Sequence, residues 1–396
     1  MSARDTEETN RVSSPIELLF DLTFVVAIAQ IATQLALSIE HGKGASAIIP
    51  FLMVFFAIWW AWINFTWFAS SYDTDDVPYR VLTLVQMAGV LVLAAGVPVA
   101  FASQNFVGIT LGYFIMRVGL VAQWTRAAVE DPNGRRTAAR YAIGIVIVQL
   151  GWIGRVFLPV TPANELYTVY LAFVVLALLD VSVPYWAERT GSTNWHPHHI
   201  AERYGLFTII LLGESVAALT GGIQLIIREG APSGSLVTVG ICSLVLVFAL
   251  WWLYFMQPAG DGLAVYRARS FIWGYGHYAV FGALAALGGG LEVVVASVGG
   301  EAHIAPVVAA YSVAVPVGVY LLALWAVHAP IVPRSVVPAS YALPAAVVVL
   351  LLPVAADSLG VPVAFALIVL VVVALVAAVV VRKDRAMRAA TKPVIG

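Results

Sequence analysis

Charged residues and cysteine are both scarce in this chain of 396 residues. Only 11% of the residues are charged, whereas an ordinary soluble domain has about 25%. The single cysteine, Cys242, excludes an intrachain disulfide and cannot build a metal site by itself. The net charge of −1 leaves no basic domain, so nucleic acid is not an expected partner.

Hydrophobic residues make up 61% of the chain, which indicates an integral membrane protein with the lipid bilayer as its solvent. The stretch from residue 1 to 14 has no apolar core or small-residue cleavage site, so it does not read as a signal peptide. We therefore expect an all-α polytopic fold of about twelve transmembrane helices. The apolar runs lie near residues 16–38, 46–70, 80–102, 106–127, 141–158, 163–186, 200–226, 235–256, 271–297, 304–328, 336–355 and 361–381.

The distribution of Lys and Arg predicts the orientation of the helices. With a cytoplasmic N-terminus, the inner loops and tails hold 16 of the 21 cations, and the outer loops hold only Lys43, Arg155 and Arg228. Arg117 and Arg203 fall within helices. This bias predicts a multi-pass protein of the cell inner membrane with both termini cytoplasmic.

An internal repeat is expected from two segments at an offset of 185 residues. "ELLFDLTFVVAIAQ" from Glu17 aligns with "ERYGLFTIILLGES" from Glu202. "FAIWWAWINF" from Phe56 then matches "FALWWLYF" from Phe248 in the same order. These matches predict two parallel six-helix repeats, residues 1–190 and 191–396.

Ionisable residues inside the apolar runs are the candidate functional residues, because a charge at the bilayer centre costs about 3 kcal/mol or more. Arg203 and Glu214 share one helix face about 16 Å apart, and Arg117 is expected to pair with Glu214 near the midplane. Thr23 and Gln30 lie opposite the acids of the first helix, so we expect the first and seventh helices to be shielded from lipid. The candidate ion or substrate pathway consists of Glu17, Asp21, Arg117, Asp180, His199, Glu202, Arg203, Glu214 and Ser215.

Two segments resemble the signatures of a known family. "SPIELLFDLTFVVAIAQIA" near the N-terminus and "HHIAERYGLFTIILLGES" at mid-chain are similar to those of the bacterial low temperature requirement A family. The resemblance implies a polytopic inner-membrane protein linked by name to growth in the cold. A weaker resemblance, to the six-helix-repeat potassium channels of lysosomes and bacteria, involves Phe20 and Asp21; the serine of their motif is absent.

Surplus acids within the membrane favour a cation or proton-linked transporter or channel. The alternatives are a membrane enzyme acting on a lipid or lipid-linked substrate and a non-transporting scaffold. A separate alternative is an intramembrane serine hydrolase that uses Ser215 and His277. The buried charges can also be ion pairs that only hold helices in register. His196, His198 and His199 leave a metal site open, but an interfacial histidine cluster is more often solvated or capping. No cofactor is identified, and a homo-oligomer is compatible with the sequence.

Overall fold

Every regular element in the described part of the chain is helical. The computed structural model describes residues 1, 13–72, 74–161, 163–229, 233–332 and 335–390. Arg4, Arg11, Arg334 and Lys392, which contribute to the predicted charge bias, lie outside the described residues.

Twelve helices of the described chain are long and apolar enough to cross a membrane, which confirms the predicted fold class. In α6 the first turn, Leu166–Leu171, is π-helical, and Pro353 lies in a 3-10 turn directly after α11. The helices are α1 Pro15–Glu40, α2 Gly44–Ser71, α3 Val77–Ser103, α4 Val107–Glu130, α5 Arg135–Val156, α6 Leu166–Glu188, α7 Pro197–Glu229, α8 Gly234–Phe255, α9 Ser270–Val298, α10 Pro306–His328, α11 Ala339–Leu351 and α12 Val361–Ala390.

Local sequence explains where the functionally important helices begin. At α1, the Glu17 carboxylate accepts the Ser14 N–H at 2.7 Å and the Ser14 hydroxyl accepts the Glu17 N–H at 3.4 Å. This reciprocal arrangement is a capping box, with Pro15 in the first helical position. At α7, the His196 ring nitrogen accepts the His199 N–H at 3.3 Å, so one member of the predicted histidine cluster caps a helix.

The chain divides into two compact units. Unit 1 consists of Met1–Ile31 and Ser46–Tyr204, and unit 2 of Ala32–Ala45 and Gly205–Gly396. The division therefore falls within α1 and within α7. The two parallel repeats, 1–190 and 191–396, stay a prediction.

In unit 1, glycines allow α3 and α4 to approach closely. A Cβ added at Gly112 would lie 2.3 Å from the Leu93 nitrogen, and one at Gly96 would lie 2.8 Å from the Ile109 nitrogen. Gly108 and Gly112 form a GxxxG pattern on α4. Such small residues are typical of membrane helix interfaces, because the association of helices in lipid depends on close packing.

In unit 2, three consecutive glycines of α9 each pack closely against a different neighbouring helix. Added Cβ atoms would meet the Glu214 Cγ at 3.0 Å from Gly288, the Ala32 oxygen at 2.5 Å from Gly289 and the Ser312 oxygen at 2.1 Å from Gly290. Successive helical residues point in directions about 100° apart, so the triplet accommodates α7, α1 and α10 at the same level.

The predicted shielding of α1 is wrong. Leu18, Leu22 and Val26 are 43%, 58% and 46% exposed, whereas Asp21 is buried. The prediction took Thr23 as a sign that this second face also avoids lipid. The Thr23 hydroxyl instead donates to the Phe20 carbonyl at 2.7 Å, and a hydroxyl satisfied within its own helix does not require a polar neighbour.

We predict that Gly112→Ala destabilises the protein by about 1–3 kcal/mol, because the added methyl group must displace the α3 backbone. The matched control is Gly154→Ala, since a Cβ at Gly154 would meet nothing within 4 Å. Thermal unfolding in detergent micelles measures the difference. Equal melting temperatures for the two variants would show that the α3–α4 contact is not tight.

Cysteine labelling tests the predicted orientation in a Cys242→Ser background. A membrane-impermeant maleimide is expected to label Lys43→Cys, between α1 and α2, in intact cells. Asn133→Cys, between α4 and α5, should react only after permeabilisation, because the two loops are separated by three crossings. The reverse pattern contradicts the assignment of cytoplasmic termini.

Candidate functional site

The first cluster of ionisable residues lies in unit 1 and is organised by Arg203 of α7. Its Nε donates to Asp21 Oδ2 at 3.0 Å and its Nη2 to Asp21 Oδ1 at 2.5 Å, so the ion pair is bidentate. The indole of Trp62 on α2 donates to Asp21 Oδ1 at 2.8 Å. Arg203 and Asp21 are 0% and 1% exposed. The guanidinium fork matches the carboxylate geometry, which a lysine could not reproduce.

Glu17 extends this cluster by one helical turn. Its Oε1 lies 3.3 Å from Arg203 Nη1 and 3.3 Å from His199 Nε2. Glu17 and Asp21 are four residues apart on α1, as His199 and Arg203 are on α7, so one turn of each helix faces one turn of the other. Glu202 lies at the edge, where it accepts the Ser13 N–H at 3.2 Å.

The second cluster, also in unit 1, joins four helices around Asp180 of α6. Arg117 Nη2 lies 2.8 Å from Asp180 Oδ1 and also donates to the Tyr113 hydroxyl. The Tyr113 hydroxyl and the Trp152 indole both donate to Asp180 Oδ2 at 3.0 Å. Asn64 of α2 completes the set at 3.5 Å from Arg117 Nη1. Arg117 and Asp180 are buried.

The expected partner of Arg117 requires a correction. We predicted an acid within reach and expected Glu214, but the carboxylate that the structure places against Arg117 is that of Asp180. The sequence estimate compared depths along helix axes, which carry no information about which helix faces which. Asp180 has two further hydrogen bonds from α4 and α5, so its selection depends on the packing of three helices.

The third cluster lies in unit 2 and contains no basic residue among those the structure describes. Glu214 of α7 is 7% exposed and packs against Gly288 of α9. Glu292, one turn further along α9, lies close enough to interact electrostatically with Glu214, and its Oε1 accepts the Thr33 hydroxyl at 3.3 Å. No ion pair involves either carboxylate in the described part of the chain.

Further acids continue from Glu292 towards the ends of the helices in unit 2. Glu292 also interacts electrostatically with Glu40, the last residue of α1. Glu40 in turn interacts with the adjacent His41 and with Glu301 in the loop after α9. Glu292 and Glu40 are half-buried and Glu301 is exposed. The four carboxylates therefore form a series from a buried position to an exposed loop.

The alternative serine hydrolase receives no support from the geometry of unit 2. The Ser215 hydroxyl is buried and has no hydrogen-bond partner among the described residues. His277 instead contacts the Tyr254 hydroxyl at 3.2 Å and the Trp273 carbonyl at 2.7 Å. A nucleophilic serine requires a base within hydrogen-bond reach, and His277 does not provide it here.

Among the described residues, no group of three or more histidines, cysteines or acids is arranged to hold a metal ion. His196 uses a ring nitrogen to cap α7, and His199 faces Glu17. Two members of the predicted histidine cluster, His196 and His199, therefore make separate structural contacts.

Several residues of these clusters were missed in the sequence. Glu292 had a readable signal, since it interrupts the apolar run "GGGLEVVV". Ser14 was also readable, as the first member of the S-x-x-E capping pattern. Trp62, Tyr113 and Trp152 gave none, because an aromatic residue in an apolar helix is ordinary.

We predict that Asp21→Asn lowers the free energy of unfolding by about 3–5 kcal/mol, because it leaves the Arg203 charge buried without full compensation. The matched control is Asp75→Asn, which removes the acid of an ion pair that is 52% exposed on the acid side. That change should cost about 1 kcal/mol or less. Unfolding in detergent micelles, followed by tryptophan fluorescence, compares the two. Equal losses would show that the buried pair contributes no more than a surface pair.

Comparison with known proteins places these clusters in a family. The family model described as Bacterial low temperature requirement A protein (LtrA) matches residues 12–380, a range that contains all three clusters. An uncharacterized protein of Rhizobium meliloti (strain 1021) is 27% identical over 298 residues, which cover 71% of this chain and 69% of the relative. The chain is therefore a membrane protein of the bacterial low temperature requirement A (LtrA) family.

Proposed function

We propose that this protein conducts protons or another small cation across the membrane, as a channel or a transporter. The observation that carries the proposal is the Glu214–Glu292 pair of unit 2, two neighbouring carboxylates without a basic partner in the described part of the chain. Ionisable residues within membrane spans commonly mark ion pathways and proton relays.

The chemistry of the pair favours a positively charged ligand. Two carboxylates that interact electrostatically in a medium of low dielectric repel when both are ionised, so the pair would favour uptake of a proton or a cation. The Thr33 hydroxyl adds a neutral oxygen next to Glu292. Oxygen ligands of this kind suit hard cations as well as proton transfer.

The neighbouring acids provide a route to and from the pair. Glu292 lies six residues before the end of α9, which is about 9 Å along the axis. Glu40 and the exposed Glu301 continue beyond it. A series of acids allows an ion to leave a site in several small steps, as conduction requires.

Packing at Gly288 supports a specific position for Glu214. The glycine leaves room for the Glu214 side chain between α7 and α9, because a Cβ there would lie 3.0 Å from the Glu214 Cγ. The Glu214 side chain is thus buried against α9, one helical turn from Glu292.

The arginine clusters of unit 1 have a different role in this proposal. Arg203 and Arg117 each form ion pairs with carboxylates, and Arg117 also donates to the Tyr113 hydroxyl. We assign them to holding helices in register, which leaves the acids of unit 2 to bind the ion. The charge bias of the loops further supports the cell inner membrane, with both termini cytoplasmic.

We predict that Glu214→Gln abolishes pH-dependent cation flux in reconstituted liposomes while the protein still folds and inserts. Glu214→Asp retains the charge and should retain part of the flux. Glu130→Gln, which changes an exposed acid of α4, is the control and should match the wild type, whereas Ala29→Glu, at the position aligned with Glu214, should perturb flux less than Glu214→Gln. Ion-sensitive dyes inside the liposomes measure protons, sodium and potassium.

Wild-type protein that gives no flux above empty liposomes for any of these ions would overturn the proposal. Full flux in Glu214→Gln, with insertion verified, would remove the Glu214–Glu292 pair from the pathway.

A further inference from the structure

Arg155, in the last turn of α5, contrasts with the two paired arginines of unit 1. It makes no ion pair with a carboxylate in the described part of the chain, although it is half-buried. Its Nη2 donates to the Val169 carbonyl at 2.8 Å, and its guanidinium lies 5.2 Å from the Phe106 ring and 5.7 Å from the Phe173 ring. Its Nε is buried and has no acceptor. The side chain is therefore held in place with its positive charge uncompensated.

This guanidinium lines an open cavity of about 350 Å³ in unit 1. The other polar side chains on the wall are neutral and belong to Ser103, Gln104, Asn105 and Thr168. No carboxylate occurs among the described lining residues. Glu165 is connected to this wall by two hydrogen bonds. The Gln104 amide donates to the Tyr170 hydroxyl, and the Tyr170 hydroxyl donates to the Glu165 carboxylate.

The backbone around the cavity adds to its positive character. The amino end of α4, a helix of 24 residues, begins at Val107 on the cavity wall. Helix amino ends favour anions because their N–H groups and the helix dipole both point outwards. The Val107 N–H itself already donates to Asn105 Oδ1 at 3.0 Å, so the dipole is the main contribution of this end. Across the cavity, Thr168 and Val169 lie in the π-helical first turn of α6, an irregularity often found at functional sites.

A second, smaller space also contacts Arg155 and Phe106. The space beneath Arg155, between Phe106, Trp152 and Phe173, has a volume of about 20 Å³, which is little more than one water molecule requires. A ligand therefore stays in the polar part of the cavity, next to the guanidinium.

We propose that this cavity binds a phosphate-type oxyanion through Arg155. A guanidinium presents parallel N–H donors that match two oxygens of a phosphate. The side-chain amides of Gln104 and Asn105 can bind the remaining oxygens. The Ser103 and Thr168 hydroxyls instead donate to backbone carbonyls four residues earlier in the chain. The negative charge of the ligand compensates the positive charge of Arg155, for which the described part of the chain provides no carboxylate. A phospholipid headgroup and free inorganic phosphate share this chemistry, and the end of a membrane-spanning helix is a position that both can reach.

Binding to detergent-solubilised protein tests the proposal with inorganic phosphate as the first probe. Wild-type protein should bind phosphate and melt at a higher temperature in its presence. Arg155→Gln should weaken binding about ten- to a hundredfold, as expected for the loss of a charged hydrogen bond. Arg155→Lys keeps the charge without the fork and should fall between them.

Arg140→Gln is the matched control. Arg140 lies near the opposite end of α5 and likewise contacts a backbone carbonyl, that of Trp186, and the Trp186 ring. This variant should bind phosphate as the wild type does. Equal loss in Arg140→Gln and Arg155→Gln would overturn the proposal, since it would indicate a general effect of charge.

A second arm identifies the source of the phosphate. Native mass spectrometry after reconstitution compares nanodiscs of phosphatidylglycerol with nanodiscs of a phosphate-free galactolipid. Retention of phosphatidylglycerol by the wild type and its loss in Arg155→Gln assign the site to a lipid headgroup, whereas binding of inorganic phosphate alone assigns it to a soluble anion. If neither phosphate nor phosphatidylglycerol binds the wild type better than Arg155→Gln, the proposal is wrong. None of these readouts depends on ion flux, so they are independent of the function proposed above.

Discussion

Compensation of charge in a medium of low dielectric is the constraint on which the packing of unit 1 depends. An ionised side chain is stable there only with a counter-charge and hydrogen bonds to its remaining polar atoms. Arg203 finds its counter-charges in Asp21 and Glu17, and these ion pairs fix α7 against α1. Arg117 meets this requirement through Asp180, with Tyr113 and Trp152 completing the shell. Each network therefore specifies which helices are neighbours and at what rotation.

Charge compensation alone would not bring helices to van der Waals distance, because lipid offers apolar side chains nearly the same environment as a neighbouring helix does. Glycine provides the close approach in both units. Gly96, Gly108 and Gly112 do so between α3 and α4, and the triplet Gly288–Gly290 does so around α9. At Gly288 the same device makes room for the Glu214 carboxylate, so packing and the candidate ion site share one residue.

A ligand is expected where a charged side chain has no opposite charge of the protein next to it. In unit 2 these side chains are the acids Glu214 and Glu292, which suit a cation. In unit 1 it is the unpaired guanidinium of Arg155, which suits an anion. The residues of the first cluster with the most ion-pair contacts, Arg203 and Glu17, are by the same reasoning suited to holding helices rather than to exchanging ligands.

The sequence by itself determined the twelve helices, the family and most of the ionisable residues within the spans, because span length and charge scarcity are dictated locally by the bilayer. The sequence also contains a signal for Glu292, because this residue interrupts an apolar run. Only the tertiary structure decided that Arg117 pairs with Asp180 rather than Glu214, that α1 exposes one face, and that Arg155 has no acid. These outcomes depend on which helix faces which and at what rotation, and contacts between residues some 60 to 180 positions apart leave no periodic signal in one sequence.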